Sequence, residues 1–276
     1  MNDLEFNIWR EWVKINLGLN LESDKKYLVE HRLNPLIQHF KLSNLTDLHR
    51  EVSIGRNSLI KLAVIDAITT HETSWFRDSK PFELFQVEIF PKWISELKNG
   101  TRTQISIWSA ACSTGQEPYT LAIILADLCK GDPQLISKIK IFASDVSEST
   151  LEEAKTGLYS DFAIQRGVEL NIKNRWFNKK VAGWDIHDTI KKMVEFKCLN
   201  LAHPIYLSNK QDLILCRNVL IYFTPEMRLK ILNDLERWMN KDGILILGAS
   251  ENSSGVSPKL TLKRFSSISY FEKKIT

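Results

Sequence analysis

Polar residues interrupt apolar runs at several points of this 276-residue chain where a ligand could bind. One such segment, SAACSTGQEPY at residues 109–119, follows a β-rich run and leads into an apolar helix. A turn of this kind presents backbone N–H groups and a helix N-terminus to a nucleotide or a carboxylate. The segment holds one glycine, Gly115, so it contains neither the GxGxxG nor the P-loop pattern. Glu117 in the first helical turn either binds a ligand or is an ordinary charge that favours the helix dipole.

A second candidate follows the next predicted strand. Asp145 lies in the turn ASDVS, where an acidic residue can accept hydrogen bonds from both hydroxyls of a ribose. An aspartate that only caps the turn fits the same position equally well. Together with the turn at 109–119, Asp145 fits an adenosine ligand, and the missing glycine pattern argues against a pyrophosphate.

Further candidates lie at the end of a later strand and in a connector. In CRNVLIYF, residues 216–223, Arg217 and Asn218 are polar within an apolar run, which is costly unless they are paired or functional. The alternatives are a structural salt bridge for Arg217 and a core position for Tyr222. His71, Thr73 and Arg77 belong to TTHETSWFRDSK at residues 69–80, which is either a solvated linker or the edge of a cleft between domains.

The hydrophobic pattern predicts two regions that position these side chains. Residues 1–68 show helical periodicity and no strand pattern, so we predict a helical N-terminal domain that spans residues 1–75 together with its connector. Within it, Pro35 either kinks or splits the second helix. The second region spans residues 76–276 and opens with an amphipathic helix at 82–97, which Pro91 breaks or restarts.

From residue 105 the pattern alternates between strand and helix. We predict strands at 105–110, 139–144, 194–199, 212–216 and 243–248, with a terminal hairpin of 260–265 and 268–273. Predicted helices cover 117–129 and 148–156, and another begins at Thr224 and Pro225. This alternation indicates an α/β fold with a mostly parallel sheet and a ligand at the carboxyl ends of its strands. Residues 157–193 interrupt the alternation and are rich in aromatic residues, so we predict an inserted subdomain or a substrate-facing flap.

Composition excludes several classes of protein. At 43% hydrophobic and 25% charged residues, the chain is neither disordered nor a coiled coil. The sequence shows no apolar run long enough for a membrane span, no signal peptide, and four cysteines without a CxxC or Cys/His zinc pattern. We therefore expect a reduced cytoplasmic protein without a metal site or membrane insertion. We also expect a monomer without a nucleic-acid partner, although the net charge of +4 argues neither for nor against nucleic acid.

Four strings, taken in order, resemble the successive motifs of the CheR-type chemotaxis receptor glutamate O-methyltransferases. They are THETSWFR, WSAACSTGQEPYTLA, FASDVSESTLEEAKTGLY and CRNVLIYFTPEMRLKIL. GILILGASEN followed by a hairpin also fits, and the resemblance spans essentially the whole chain. It implies the α/β fold of a class I S-adenosylmethionine (SAM)-dependent methyltransferase. That fold is Rossmann-like, here with a small all-helical N-terminal domain and an inserted β-subdomain.

The resemblance also implies an activity and a cofactor site. Members of the family transfer the SAM methyl group to glutamate side chains on chemoreceptor cytoplasmic helices, which leaves S-adenosylhomocysteine. The matching cofactor-pocket positions are His71, Thr73, Arg77, Glu117, Asp145, Asn200, Leu201, Arg217 and Asn218. His71 is a departure, because the family usually has Asn there, and Gln116 stands where Glu is common.

This chemistry suits the residues present. A glutamate carboxylate has a pKa of about 4.3, so at neutral pH it is an anion that attacks the methyl group without a general base. The enzyme must align the reacting atoms and exclude water. We hypothesise that Arg77 positions a carboxylate of cofactor or substrate through its planar donor fork. Tyr222 is the second catalytic candidate, packing near the methyl group or donating a hydrogen bond to the target glutamate.

The resemblance places receptor docking on the helical N-terminal domain, where a cationic surface would steer acidic receptor helices. Basic residues cluster around its second helix, although residues 1–60 balance eight Lys or Arg against eight Asp or Glu, and a solvated helix face explains them equally. They are Lys25, Lys26, His31, Arg32, His39 and Lys41. In some family members the inserted subdomain captures a C-terminal receptor peptide as an added strand, and the sequence leaves open whether this one does.

Two other functions stay open. One is a methyltransferase of the same fold with a different acceptor, and the other is a SAM-binding signalling module without catalysis. The presence of Arg77, Asp145, Arg217 and Tyr222 argues against the second.

Overall fold

A computed structural model describes residues 1–55, 57–251 and 255–274. Its N-terminal part contains four helices, α1 (Asp3–Leu17), α2 (Lys26–His39), α3 (Leu45–Ile54) and α4 (Ser58–Ile68). Their apolar faces form one core around Trp9, Val13, Leu33, Leu48 and Val64. The helix α2 continues through Pro35, so the proline neither splits it nor ends it. The all-helical N-terminal prediction is confirmed.

The rest of the chain builds two sheets. The strands are β1 (Ile105–Ala110), β2 (Ile139–Asp145), β3 (Leu158–Tyr159), β4 (Phe177–Lys180), β5 (Gly183–Ile186), β6 (Val194–Cys198), β7 (Gln211–Cys216), β8 (Met239–Leu247), β9 (Leu260–Phe265) and β10 (Ile268–Lys273). The large sheet has the order β6-β2-β1-β7-β8-β10-β9. Its first five strands are parallel, and β10 is antiparallel to both β8 and β9. The mostly parallel sheet with a terminal hairpin is therefore as predicted.

The described residues of the second region form nine further helices. They are α5 (Lys80–Leu84), α6 (Phe90–Asn99), α7 (Gln116–Leu128), α8 (Pro133–Ser137), α9 (Glu148–Thr156), α10 (Asp161–Gln165), α11 (Leu170–Trp176), α12 (Asp188–Lys191) and α13 (Pro225–Trp238). Thr224 caps α13 by accepting the backbone N–H of Met227, and Pro225 occupies its first turn. No helix within the described ranges is long and apolar enough to cross a membrane.

The inserted segment forms a small antiparallel sheet of its own, with the strand order β3-β5-β4. The short helices α10, α11 and α12 complete it. Aromatic side chains of this segment, including Tyr159, Trp176 and Phe177, join the main hydrophobic core of the second region. The insertion is therefore a packed subdomain, and it contains the β-sheet that the resemblance implies.

Three local features differ from the sequence prediction. The helix expected at 82–97 is divided into α5 and α6 by a π-helical turn at Phe85–Ile89. The strand expected from residue 243 begins at Met239, because a register irregularity lets Met239 pair with Gln211 ahead of the apolar run. The helix α8 was not predicted. Asn252, the last residue of the string GILILGASEN, lies outside the described residues.

The helical region closes over the carboxyl ends of the parallel strands. Directly after α1, Leu19 forms an antiparallel bridge with Phe223. Asn20 donates its backbone N–H to the carbonyl of Tyr222 at 2.8 Å. These contacts place the end of α1 against the loop that follows β7, and a cavity remains between them and the sheet.

Candidate active site

One cavity of about 220 Å³ lies between the helical region and the carboxyl ends of β1, β2, β6 and β7. Every site residue predicted from the sequence lines it, although these residues come from five separate segments of the chain. They are His71, Thr73, Arg77, Glu117, Asp145, Asn200, Leu201, Arg217, Asn218 and Tyr222. A parallel α/β sheet binds ligands at this edge, because the turns after its strands converge there.

Arg217 is the hub of the buried polar network in this cavity, with a side chain only 2% exposed. Its Nη1 donates to Glu117 Oε2 at 2.8 Å. Its Nη2 donates to the carbonyl of Arg77 at 2.6 Å and to Asp78 Oδ2 at 3.1 Å. The Ser109 hydroxyl donates to the other oxygen of Glu117 at 2.7 Å. Arg217 thus forms a salt bridge, as one reading of the sequence expected, and that salt bridge builds the cavity wall.

Asp145 ties two turns together. Its Oδ2 accepts the backbone N–H of Ser113 at 2.8 Å, and its Oδ1 accepts that of Ser147 at 3.1 Å. Asp145 therefore caps a turn, as one alternative had it. A carboxylate offers about four lone-pair positions, so two occupied positions leave acceptor capacity towards the cavity.

The turn between β1 and α7 has unusual backbone geometry. Ala111 and Ser113 have φ values of 58° and 52°, in a backbone region that residues other than glycine rarely adopt. Gly115 has a φ of 90°, and a Cβ there would lie 2.9 Å from the Cβ of Ala154. Asn218, in the turn after β7, has a φ of 57°. Such conformations persist where the surroundings hold them, and they concentrate at functional sites.

The connector supplies three side chains in different situations. The Nε2 of His71 lies 3.0 Å from Thr69 Oγ1 and 3.1 Å from the carbonyl of Asp66, so this nitrogen faces the end of α4. The backbone carbonyl of His71 accepts the Ser113 hydroxyl at 2.9 Å. Within the described residues, Arg77 donates from its side chain only to the Glu72 carbonyl, at 2.8 Å, and Thr73 makes no side-chain hydrogen bond. Arg77 thus brings unused guanidinium donors to the cavity.

Asn200 links the two regions of the chain. Its Nδ2 donates to the carbonyl of Asn16 at 2.8 Å, and its Oδ1 accepts the N–H of Ala202 at 2.9 Å. The amide therefore faces α1, and both its nitrogen and its oxygen are hydrogen-bonded within the protein. Leu201 is 5% exposed and supplies an apolar surface to the cavity.

Tyr222 lies at the rim, in a 3-10 turn at Leu220–Tyr222. Its side chain is 40% exposed, so the alternative core position is wrong. Sequence reasoning did not single out Glu251, the residue that holds this turn. Glu251 accepts the backbone N–H groups of Val219 at 2.8 Å, Leu220 at 2.6 Å and Gly248 at 2.6 Å. Two of its partners, Val219 and Leu220, lie about 30 positions earlier in the chain, and all three partners are backbone groups. No sequence motif marks such contacts.

Cys112 lines the cavity but is not a nucleophile. Burial raises the pKa of its thiol well above the usual range, and the carboxylates of Asp145 and Glu117 raise it further. Burial does the same to the pKa of Cys216 at the end of β7. Both thiols stay protonated at neutral pH, so the cavity offers no thiolate chemistry.

Comparisons with known proteins cover nearly the whole chain. The protein-family model described as "CheR methyltransferase, all-alpha domain" matches residues 4–69, and the family model "CheR methyltransferase, SAM binding domain" matches residues 71–267. The chemotaxis protein methyltransferase of Vibrio parahaemolyticus is 38% identical over 265 residues, which is 96% of this chain and 94% of the relative. Chemotaxis protein methyltransferase 1 of Pseudomonas aeruginosa is 39% identical over 249 residues, 90% of this chain and 89% of the relative.

Proposed function

The chain belongs to the CheR methyltransferase family, and from that membership we propose that it methylates glutamate side chains on the cytoplasmic helices of a chemoreceptor. It is a SAM-dependent methyltransferase of chemotaxis. The proposed products are glutamate methyl esters and S-adenosylhomocysteine. One observation carries the proposal: the predicted cofactor residues and both catalytic candidates, Arg77 and Tyr222, line one cavity between the two regions.

The donor set of the cavity fits SAM. Asp145 retains acceptor capacity at the carboxyl end of β2, where the hydroxyls of a ribose are commonly held. Glu117, fixed by Ser109 and Arg217, presents a carboxylate to an ammonium group. Leu201 supplies an apolar wall for a base. We propose the nine cofactor-binding positions that the resemblance implies, because all of them line this cavity. When bound, SAM supplies the electrophilic methyl group.

Arg77 is proposed to hold a carboxylate of the cofactor or the substrate, and Tyr222 is proposed to contact the acceptor glutamate. The free N–H groups of Arg77 can hold a carboxylate by two parallel hydrogen bonds, a geometry that fixes its orientation. Tyr222, at the rim, meets an acceptor that enters from outside, and its hydroxyl can donate to the incoming glutamate. The acceptor is already an anion, so alignment and exclusion of water are the work left to these residues.

The helical region supplies the proposed docking surface for the receptor. Lys25 and Tyr222 line the same cavity, and the side chain of Lys25 is 45% exposed. Arg32 also lines the cavity, but its guanidinium donates to Thr69 and Thr70, directly after α4. Of these two cations, Lys25 is therefore the better placed to meet an acidic receptor helix.

A receptor C-terminal peptide, if the protein uses one, would add to the inserted sheet. The strand β4 is an edge of that sheet, and its residues Asn178, Lys179 and Lys180 are exposed. An extended peptide binds such an edge through main-chain hydrogen bonds.

The acceptor is tested by methyl transfer to a receptor fragment. Purified protein is incubated with methyl-labelled SAM and a chemoreceptor cytoplasmic fragment, and the labelled residues are located by mass spectrometry. The proposal expects label on glutamates and its loss when those glutamates are replaced by alanine. Label on lysine or another residue would identify a different acceptor. SAM binding without transfer to any receptor fragment would favour a sensor.

A further inference from the structure

The connector that carries Thr73 and Arg77 is anchored in the inserted subdomain. Between those residues, Trp75 is 1% exposed, and its ring lies edge-on against Tyr159 and Phe177, with centroid distances of 4.9 and 5.2 Å. Trp75 also donates its backbone N–H to the carbonyl of Arg166 at 3.1 Å. The connector therefore takes its position from residues of the insertion.

Gly167 makes this contact possible. A Cβ at Gly167 would lie 2.1 Å from the carbonyl oxygen of Trp75, and its φ is 112°. Beside it, Arg166 forms an ion pair with Glu72 of the connector. Backbone packing of this closeness leaves little room for movement between the insertion and the connector.

Tyr159 also contacts the turn between β1 and α7, which forms another side of the cavity. Its hydroxyl donates to the carbonyl of Thr114 at 2.8 Å, within the turn that joins β1 to α7. A Cβ at the adjacent Gly115 would lie 3.1 Å from that hydroxyl. Burial raises the pKa of the phenol well above its usual range, so it remains a donor at physiological pH.

Tyr159 itself does not line the cavity, whereas Ala111, Cys112 and Ser113 of the same turn do. Its side chain contacts the back of that turn through Thr114 and the back of the connector through Trp75. One buried side chain of the insertion thus contacts both the β1–α7 turn and the connector, two of the segments that border the cavity.

We propose that Tyr159 is a positioning residue for SAM: from the inserted subdomain it holds the β1–α7 turn and the connector at the spacing that the cofactor requires. The inference concerns cofactor binding and is independent of which acceptor is methylated. Removing the hydroxyl frees the Thr114 carbonyl, and the turn with its positive φ values then loses a restraint.

The test is the affinity of Tyr159→Phe for SAM and for S-adenosylhomocysteine, measured by calorimetry without a receptor. Loss of one buried hydrogen bond that pre-organises a site should raise both dissociation constants about fivefold to tenfold. Hydrogen–deuterium exchange of residues 111–115 should also become faster in the absence of ligand. Because no methyl acceptor is present, a wrong acceptor assignment cannot produce or hide this result.

Tyr119→Phe is the matched control. Tyr119 is also a buried tyrosine, but its hydroxyl donates to the Ala154 carbonyl of α9 at 2.9 Å and makes no hydrogen bond to the described β1–α7 turn. Its substitution should lower thermal stability by a similar amount and change SAM affinity less than about twofold. If both variants bind SAM as tightly as the unmodified protein, or if both raise the SAM dissociation constant to the same extent, Tyr159 has only a structural role and the proposal is overturned.

Discussion

Arg217 Nη1 lies 2.8 Å from Glu117 Oε2, which joins the end of β7 to the first turn of α7 across the candidate active site. The two side chains are 2% and 14% exposed. Arg217 also donates to the backbone carbonyl of Arg77, so one guanidinium connects the sheet, the helix and the connector. Three positions from separate motifs, Arg77, Glu117 and Arg217, therefore belong to one hydrogen-bonded network.

Breaking this ion pair should be costly. Arg217→Ala leaves the carboxylate of Glu117 buried without its cation, and we expect the free energy of unfolding to fall by about 3–5 kcal/mol. Urea denaturation measures the change. Arg237→Ala is the control, because Arg237 is 71% exposed in its pair with Asp234 and should contribute less than about 1 kcal/mol. Equal losses in the two variants would show that the pair does not hold the site.

Arg77→Ala should remove activity and leave the fold intact. The side chain contacts the described protein through one hydrogen bond to Glu72, so melting should shift little. Loss of a bidentate carboxylate contact should lower kcat/KM by about 100-fold or more. Steady-state methylation and a thermal melt are the measurements, with the exposed Arg175→Ala as control. A folded Arg77→Ala with unchanged turnover would remove Arg77 from the proposed mechanism.

Glu251→Gln tests the turn that presents Tyr222. Glutamine places an amide N–H₂ group where a carboxylate oxygen now accepts backbone donors from Val219, Leu220 or Gly248. We expect about 1–3 kcal/mol of lost stability and methyl transfer slowed about tenfold. The exposed Glu195→Gln should change neither quantity. An active variant with wild-type stability would mean that the turn keeps its shape without the carboxylate.

Thiol reactivity should distinguish the four cysteines. Cys112, Cys129 and Cys216 are buried, and Cys198 is exposed. Burial raises the pKa of Cys129 to about 11, and those of Cys112 and Cys216 are also raised. Native protein treated with iodoacetamide at pH 8.5 should therefore be modified slowly at Cys198 alone, and at four sites after unfolding. Rapid native modification of Cys112 would contradict the buried geometry around the cavity.

Charge reversal tests receptor docking on the helical region. Lys25→Glu and Lys26→Glu should slow methylation of a receptor fragment mainly at low salt, because steering by exposed charges is screened. Both lysines are paired within the protein, with Asp24 and Asp3 respectively, so we expect a modest effect of about threefold to tenfold. The rate is measured from 20 to 300 mM salt. A rate that is unchanged at every salt concentration would place docking elsewhere.

The hydrophobic pattern of the sequence was sufficient to predict many of the helices and strands. The strand β1 and the terminal hairpin have the bounds predicted, because polar residues or a tight turn limit the β-rich runs there. The pattern was insufficient for β8, whose first residues, Met239 to Asp242, carry no β pattern; of these, Met239 pairs with Gln211 ahead of a register irregularity. Register of that kind depends on the neighbouring strand and not on local sequence.

The candidate site could be predicted as a set of positions but not as a geometry. The family resemblance located ten of the residues that line the cavity, yet the roles of Ser109 and Glu251 depend on partners that only the folded chain brings together. The sequence offered Asp145 as a ribose ligand or a turn cap, and the structure shows the cap with acceptor capacity left. The amide of Asn200 faces Asn16, a contact across 184 positions that periodicity cannot reveal.

The most direct test of the proposed activity is the chemical lability of the transferred methyl group. A receptor fragment labelled from SAM by this protein is treated with mild base, and volatile methanol is collected. A glutamate methyl ester hydrolyses and releases the label, so we expect nearly all of it as methanol. Label that stays on the fragment would show methylation of an amine or amide and would contradict a glutamate O-methyltransferase.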